Sequence, residues 1–272
     1  MVPSTAFRVV IPARFAATRL PGKPLLRIAG RPLIQHVFDR ARQSGAREIV
    51  IATDDPRIAE CASGFGAQVC MTAANHPNGS SRIAEVCDRL GWADDAVLVN
   101  LQGDEPCIPP GLIDQVATDL IAHPNSDIAT LACPIQDRET IFDPGVVKVV
   151  RDLQGFALYF SRAPIPWHRE GFGDSRGDVP EGLYWRHIGL YAYRAVFLRR
   201  YVHWPATPLE QAESLEQLRA LERGSRIRVS LTGAPTGPGV DTPADVARVE
   251  AWLNGHQRKV AQGRGDATTV GA

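Results

Sequence analysis

The sequence predicts a three-layer α/β fold, in which a mostly parallel central sheet lies between helices and carries a mixed β insertion. Short apolar runs alternate with helical periodicity through the first half of the chain, as expected for right-handed βαβ units. These runs contain few polar positions, which is typical of strands buried on both faces. In the middle of the chain, strands follow one another with few helices between them, and this change predicts the insertion.

The first half of the chain supplies the parallel part of the predicted sheet. We expect strands at 7–12, 48–53, 68–71 and 96–102, and helices at 33–44, 56–65, 83–90 and 109–123. In the first of these helices, Leu33, Val37 and Ala41 share one face. Gly45 follows it as a natural C-terminal stop.

The second half supplies the insertion and the end of the fold. We expect strands at 127–132, 146–150, 156–160 and 187–193, with a loop at 164–182 rich in Gly, Pro and charge. A helix at 208–222, a strand at 226–231 and a last helix at 242–253 follow, and Thr242 is the expected N-cap of that helix. The sequence therefore predicts one domain at 1–253, with the insertion at about 133–205, and a disordered polar tail at 254–272.

Composition and charge exclude several classes of protein. The chain has 272 residues, and 30 Lys and Arg balance 30 Asp and Glu, which argues against a nucleic-acid coat or a basic membrane anchor. The five cysteines are scattered and form no CxxC, so we expect reduced thiols and neither a zinc ribbon nor a disulfide framework. No signal peptide is apparent, and no apolar run approaches the ~18 residues of a membrane helix. We therefore expect a cytoplasmic protein that binds neither nucleic acid nor membrane.

The loop after the first strand is the strongest candidate for anion binding. The stretch IPARFAATRLPGKPL, residues 11–25, carries Arg14, Arg19 and Lys23 with few acids nearby. In an open α/β sheet the first βα loop is the usual phosphate site, and guanidinium groups bind phosphate oxygens in pairs. Neither GxxxxGK[ST] nor a helix-opening GxGxxG is present, which disfavours P-loop kinases and simple NAD enzymes. A solvated basic loop is the simpler alternative.

Two further segments carry acids at positions suited to a metal ion. Asp104 and Glu105 follow the strand at 96–102 in NLQGDEP, where Asp104 is the stronger candidate for a Mg²⁺ ligand. Asp241 lies in GPGVDTP directly before the last helix. Each acid also fits ordinary turn chemistry. The spacing of the sequence does not decide whether Asp104 and Asp241 converge.

Six segments together carry a resemblance to a known family. They are IPARFAATRLPGKPL, VNLQGDEP, VVKVV with ALYFSRAPIPW, RHIGLYAYR, TPLEQAESLEQLR and GVDTP, in this order between residues 8 and 253. In this order they resemble the CMP-KDO synthetases, the 3-deoxy-manno-octulosonate (KDO) cytidylyltransferases of the sugar nucleotidyltransferase type. The resemblance implies a nucleotide-diphospho-sugar transferase-like fold and transfer of CMP from CTP to KDO, with release of pyrophosphate. It also implies Mg²⁺ as cofactor, a role in lipopolysaccharide inner-core synthesis, and a homodimer.

The resemblance also implies roles for particular residues. It places CTP on Ala13, Arg14, Arg19, Lys23, Ser80, Arg82, Gln102 and Gly103, with Arg14, Lys23 and Asp104 as catalytic residues and Asp104 and Asp241 as metal ligands. It places the KDO carboxylate on Arg162 and the KDO hydroxyls on His187, Tyr191, Glu210 and Gln217. Each of these last four also has a purely structural interpretation, because a strand core, a helix first turn or a helix surface would explain it. Tyr159, Phe160 and Trp167 are the expected dimer surface.

One segment departs from the family pattern H-x-S-G-T-[DE]-R. In NHPNGSSR, residues 75–82, Asn78 replaces Ser, Ser80 replaces Thr and Ser81 replaces the acid, whereas Gly79 and Arg82 remain. Loss of the acid removes a possible orienting partner of Arg82. Two alternatives stay open: the same reaction on 8-amino-KDO or another acidic sugar, and a non-catalytic binder of a nucleotide or sugar.

Overall fold

A computed structural model describes residues 6–16, 20–169, 171–172, 179–234 and 236–265, and only the backbone of 256–265. Its strands are β1 (Phe7–Ala13), β2 (Arg27–Ile28), β3 (Arg31–Pro32), β4 (Glu48–Thr53), β5 (Gln68–Met71), β6 (Val97–Asn100), β7 (Ile128–Pro134), β8 (Lys148–Arg151), β9 (Ala157–Ser161), β10 (Trp185–Arg194) and β11 (Ile227–Leu231). Its helices are α1 (Leu33–Arg42), α2 (Pro56–Gly64), α3 (Gly79–Arg89), α4 (Pro110–Ala122), α5 (Arg138–Phe142), α6 (Ala195–Tyr201), α7 (Pro208–Glu213), α8 (Glu216–Glu222) and α9 (Pro243–Gly265).

The main sheet is mostly parallel, which confirms the predicted fold class. Its strand order is β11-β7-β10-β6-β1-β4-β5, and β10 is antiparallel to both β6 and β7. Strand β1 lies between β4 and β6 and is parallel to both. The carboxyl ends of β1 and β6 therefore lie side by side, with Val10 opposite Asn100. The insertion adds β8 and β9 as an antiparallel extension beside β10.

Apolar side chains cover both faces of this sheet. On β1, Val9 and Ile11 belong to the apolar cluster that includes α1, α2 and α4, whereas Val10 belongs to the cluster that includes α3, α6 and α8. This alternation along one strand follows from the two-residue period of β structure. Because each face of the sheet is covered by its own set of helices, the fold has the three layers that the sequence predicts.

Three predicted helices differ from the observed ones, two in where they begin or end and one because it is broken in the middle. The helix predicted at 83–90 begins at Gly79, because the Asn78 side chain accepts a hydrogen bond from the Ser81 amide and caps it. The helix predicted at 208–222 is two helices, separated where Ser214 adopts a left-handed φ of 51°. Helix α9 continues past Leu253 to Gly265, so residues 254–265 are helical and not a disordered tail. The rest of the predicted tail lies outside the described residues.

The insertion confirms its predicted strands but not its predicted surface. Phe160 is fully buried and lies in the core, so it is not part of an exposed aromatic surface, whereas Trp167 is 63% exposed. The loop predicted at 164–182 is described only in part, because residues 170 and 173–178 lie outside the described residues. Among the described helices, none is long and apolar enough to cross a bilayer. All five cysteines are free thiols.

Candidate active site

A cleft of about 590 Å³ opens beyond the carboxyl ends of β1 and β6, where ligands of open α/β sheets bind. Its walls come from the loop after β1, the first turn of α3, the loop after β6, two positions of β10 and the junction between α7 and α8. The predicted site residues that line it are Ala13, Arg14, Lys23, Ser80, Arg82, Gln102, Gly103, Asp104, Tyr191, Gln217 and Asp241. Arg19 lies outside the described residues.

Lys23 joins the two predicted metal carboxylates. A single 3-10 turn, Lys23–Leu25, starts after Gly22 and holds the Lys23 side chain in the cleft, where it is 13% exposed. Its Nζ lies 2.8 Å from Asp104 Oδ2 and 3.4 Å from Asp241 Oδ1. The backbone fixes this junction, because the Val240 amide donates to the Asp104 carbonyl at 2.9 Å. The loops that carry Asp104 and Asp241 therefore converge, which the sequence alone did not decide.

Glu105 lies directly behind this pair. A Cβ at Gly239 would stand 3.2 Å from Glu105 Oε1, so the carboxylate packs against a glycine backbone. Burial, together with the neighbouring carboxylates of Asp104 and Asp241, raises the pKa of Glu105 to about 7. Negative charge is thus concentrated at this corner of the cleft.

The donor set at this corner fits a magnesium ion. Carboxylate oxygens are the hard ligands that Mg²⁺ prefers, and Mg²⁺ is commonly held by one or two carboxylates together with substrate phosphates. Within the described ranges, no group of three or more His, Cys, Asp and Glu side chains is arranged to hold a metal ion without further ligands. Asp104 and Asp241 therefore fit an ion that completes its coordination on a bound polyphosphate.

The first turn of α3 forms the opposite wall. Arg82 is 4% exposed, and its guanidinium lies 2.9 Å from Asp54 Oδ1 and donates to Thr72 Oγ1 at 2.5 Å. These two partners orient Arg82, so the family acid that Ser81 replaces is not needed for that purpose. Ser80 Oγ donates to Glu216 Oε2 at 3.4 Å across the cleft.

Ser81 belongs to a separate network at the rim of the cleft. Its hydroxyl donates to the Asn78 carbonyl at 2.9 Å and lies 3.2 Å from His76 Nδ1. His76 Nε2 lies 2.5 Å from Glu85 Oε2. The hydrogen bonds that Glu85 accepts from His76, Ala73 and Arg89 lower its pKa to about 2, against a burial effect in the other direction. Ser81 thus helps to fix His76 at the cleft edge.

Three residues predicted for the acceptor sugar do not line the cleft. Arg162 donates from Nε to the Glu213 carbonyl at 2.7 Å and from NH1 to the Pro144 carbonyl at 2.9 Å. Glu210 is buried in an ion pair with Arg219 and completes the capping box of α7. These contacts match the structural interpretation of Glu210.

His187 is the third. Its ring lies behind the cleft, with centroids 5.3 Å from Tyr191, and its Nε2 lies 2.9 Å from Thr130 Oγ1. Burial lowers the pKa of His187 to about 3, so the ring is neutral at pH 7. By contrast, Tyr191 and Gln217 line the cleft, and Gln217 Nε2 is buried without a partner among the described residues.

The structure adds cleft residues that the sequence interpretation missed. Among them are Asn100, Tyr193, Tyr201 and Glu216. Tyr193 follows Tyr191 by two residues on one strand, so the period of two was an available signal. Glu216 was hidden by the prediction of one continuous helix, because the break at Ser214 sets which face of α8 meets the cleft. Partial desolvation raises the pKa of the Glu216 carboxyl.

A cationic first loop that contacts paired acids in a cleft beyond the sheet edge fits a nucleotidyltransferase, and comparison with known proteins agrees. A family model described as cytidylyltransferase matches residues 8–227. A 3-deoxy-manno-octulosonate cytidylyltransferase of Nitrosococcus oceani is 54% identical over 255 residues, which are 93% of this chain and 98% of the relative. One of Pseudomonas fluorescens is 57% identical over 253 residues, or 92% and 99%. The chain therefore belongs to the cytidylyltransferase family, and its resemblance to the KDO cytidylyltransferases is confirmed.

Solved structures show the same fold. A CMP:2-keto-3-deoxy-manno-octonic acid synthetase complexed with CTP matches with a TM-score of 0.84 and 42% identity, covering 93% of this chain and all of the other. A cytidylyltransferase from Leptospira borgpetersenii matches with a TM-score of 0.54 and 15% identity, covering 89% of this chain and 83% of the other. The second likeness concerns the fold alone. The first confirms a nucleotide-sugar transferase fold.

Proposed function

We propose that the protein transfers CMP from CTP to the anomeric hydroxyl of KDO and releases pyrophosphate. The observation that carries this proposal is the junction of Lys23 with Asp104 and Asp241 in the cleft. Relatives at 54–57% identity over more than nine tenths of the chain are named for this reaction. The reaction requires positioning and charge neutralisation more than covalent participation of the protein.

The triphosphate of CTP is assigned to the cationic side of the cleft. Arg14 is exposed at the edge of the cleft, where its guanidinium has no ion pair with the described residues and can bind phosphate oxygens, and Lys23 is already paired with the two acids. The cytidine is assigned to the wall formed by Ala13, Ser80 and Arg82. The amides at the start of α3 add a positive helix end on that side.

Asp104 and Asp241 would hold the magnesium ion. When bound there, Mg²⁺ supplies charge that polarises the α-phosphate and stabilises the departing pyrophosphate. Asp104 and Asp241 orient Lys23 between them, and Lys23 neutralises phosphate charge as the bond to pyrophosphate breaks. The sugar hydroxyl attacks the α-phosphorus in line, on the side opposite the pyrophosphate.

The acceptor sugar is assigned to the wall formed by β10 and α8. Gln217 offers a buried Nε2 that has no partner among the described residues, and Tyr191 and Glu216 offer a hydroxyl and a carboxylate for sugar hydroxyls. Arg162 remains the proposed partner of the KDO carboxylate. His187 and Glu210 do not line the cleft, so they would support the residues of this wall without touching the sugar. Binding the carboxylate requires Arg162 to exchange its bonds to two backbone carbonyls for the ligand.

The experiment that tests the reaction compares Asp104→Asn with Asp95→Asn, an exposed acid outside the cleft. Pyrophosphate release from CTP and KDO should be lost in Asp104→Asn and retained in Asp95→Asn, while both variants bind CTP in calorimetry. Normal turnover by Asp104→Asn would contradict the proposed metal role. CTP binding without turnover in the unmodified protein would favour the non-catalytic binder.

We propose further that the enzyme acts in the cytoplasm as a homodimer and that its product serves lipopolysaccharide inner-core synthesis. The insertion exposes Leu158 (62%) and Trp167 (63%), and apolar exposure of this kind suits a subunit interface. Light scattering after size exclusion should give twice the chain mass of 29.6 kDa. A single species at the chain mass would contradict the dimer.

A further inference from the structure

The loop after β1 closes on itself at a point outside the cleft. The Gly22 amide donates to the Phe15 carbonyl at 2.9 Å, which joins the two ends of the loop. Gly22 has a left-handed φ of 72°, and a Cβ there would stand 3.1 Å from the Phe15 ring. The Phe15 ring therefore packs directly against the Gly22 backbone. Phe15 follows Arg14 in the chain, and Gly22 precedes Lys23.

Arg57 fixes this ring from α2. Its Cζ lies 3.4 Å from the centroid of the Phe15 ring, which is cation–π geometry. Asp55 holds the guanidinium in place, with Arg57 Nε 3.0 Å from Oδ1 and NH2 2.7 Å from Oδ2. The same Asp55 accepts from the Arg57 amide and caps α2. The hydrogen bond from Arg57 lowers the pKa of Asp55, so the carboxylate stays charged.

We infer that Arg57 is a positioning residue for the nucleotide: through Phe15 and Gly22 it sets where Arg14 and Lys23 stand. This inference rests on the proposed function, because it assigns the loop to CTP. Arg57 does not line the cleft in the described part of the chain, so its effect must pass through the ring. Its side chain is 58% exposed, so the fold itself depends little on it.

Steady-state kinetics of Arg57→Ala test the inference. The KM for CTP should rise about 2- to 5-fold, since an exposed cation–π contact is worth a factor of this size, while the KM for KDO stays within twofold. The melting temperature should change by no more than about 2 °C. Arg200→Ala is the matched control, because Arg200 is 59% exposed and paired with Asp127 at 3.4 Å. It should leave both KM values unchanged.

Two further variants separate positioning from charge. Arg57→Lys keeps the charge but loses the planar, bidentate fork, so it should rescue the KM for CTP only in part. Phe15→Leu should raise the same KM, and adding Arg57→Ala to it should cause no further rise, because both changes break one contact.

Three outcomes would overturn the inference: an unchanged KM for CTP in Arg57→Ala, full rescue by Arg57→Lys, or additive effects of the Phe15 and Arg57 changes. Each is measured against an unmodified enzyme that turns over CTP. Absence of turnover in the unmodified enzyme would instead refute the proposed function. Direct calorimetry of CTP binding to Arg57→Ala gives a readout that does not depend on turnover.

Discussion

Removing the cation that joins the two site acids is the most informative single change. Lys23→Met keeps most of the side-chain volume and removes the ammonium that lies 2.8 Å from Asp104 Oδ2 and 3.4 Å from Asp241 Oδ1. Asp104, Asp241 and the adjacent Glu105 then crowd one corner without a neutralising lysine. The cleft loses the cation that contacts both acids as a result.

The geometry sets the expected size of the effect. A hydrogen bond to a charged partner contributes about 1.5–3 kcal/mol, which applies to the Asp104 contact, whereas Asp241 is 69% exposed and its pair contributes about 0–1 kcal/mol. Charge stabilisation of the transferring phosphate adds a loss of the kind seen when one aligned donor is removed, about 10²–10³ in kcat. We therefore expect kcat/KM for CTP to fall by about 10²–10⁴.

Pyrophosphate release at varied CTP measures this loss, and thermal melting of the same variant checks the fold. Lys23→Arg is the control, because it keeps a cation but changes its shape, and it should retain more activity than Lys23→Met. A kcat/KM for Lys23→Met within threefold of the unmodified enzyme would refute the account of the cleft. The same would follow if only the KM for the sugar changed.

Three further predictions concern single residues. Gly103→Ala places a Cβ 3.0 Å from a backbone carbonyl of β1, so we expect a cost of about 1–3 kcal/mol, seen as a lower melting temperature with reduced turnover. His187 has a pKa of about 3 in the fold, below its unfolded value, so its contribution is complete above pH 6.5 and lost as the pH falls. His187→Gln should flatten the fall in melting temperature between pH 6.5 and 4.5, and an unchanged slope would contradict this. Ser81→Asp puts an acid in the first turn of α3 beside His76, and it should raise the free energy of unfolding in denaturant by about 0.3–1 kcal/mol. An unchanged or lower free energy of unfolding would contradict this.

The layers of the fold follow from local pattern, and for that reason the sequence predicts them well. Buried strands such as β4 and β6 are short apolar runs, and each helix between them shows one apolar face. The break at Ser214 has no such signal, since a left-handed serine is selected by the packing around it. The prediction of one helix therefore placed Glu210 correctly in a first turn but missed Glu216.

The residues of the candidate site also fall into those that the sequence predicts and those that it does not. The cations of the first loop and Asp104 follow predicted strands, so their common edge could be inferred from topology. Asp241 could not be placed, because its position depends on the backbone bond between Val240 and the loop of Asp104, far away in the chain. Arg162 has its donors turned to backbone carbonyls, and only the folded insertion determines that orientation.

The central claim is the reaction, and one measurement tests it most directly. Pyrophosphate release from CTP and Mg²⁺ should be followed with KDO, 8-amino-KDO, N-acetylneuraminate or no sugar. The account predicts release with KDO alone. Release with a different acidic sugar alone would contradict KDO as the acceptor and the roles of Tyr191, Gln217 and Arg162 in binding it. No release with any sugar, despite CTP binding, would contradict the proposed function.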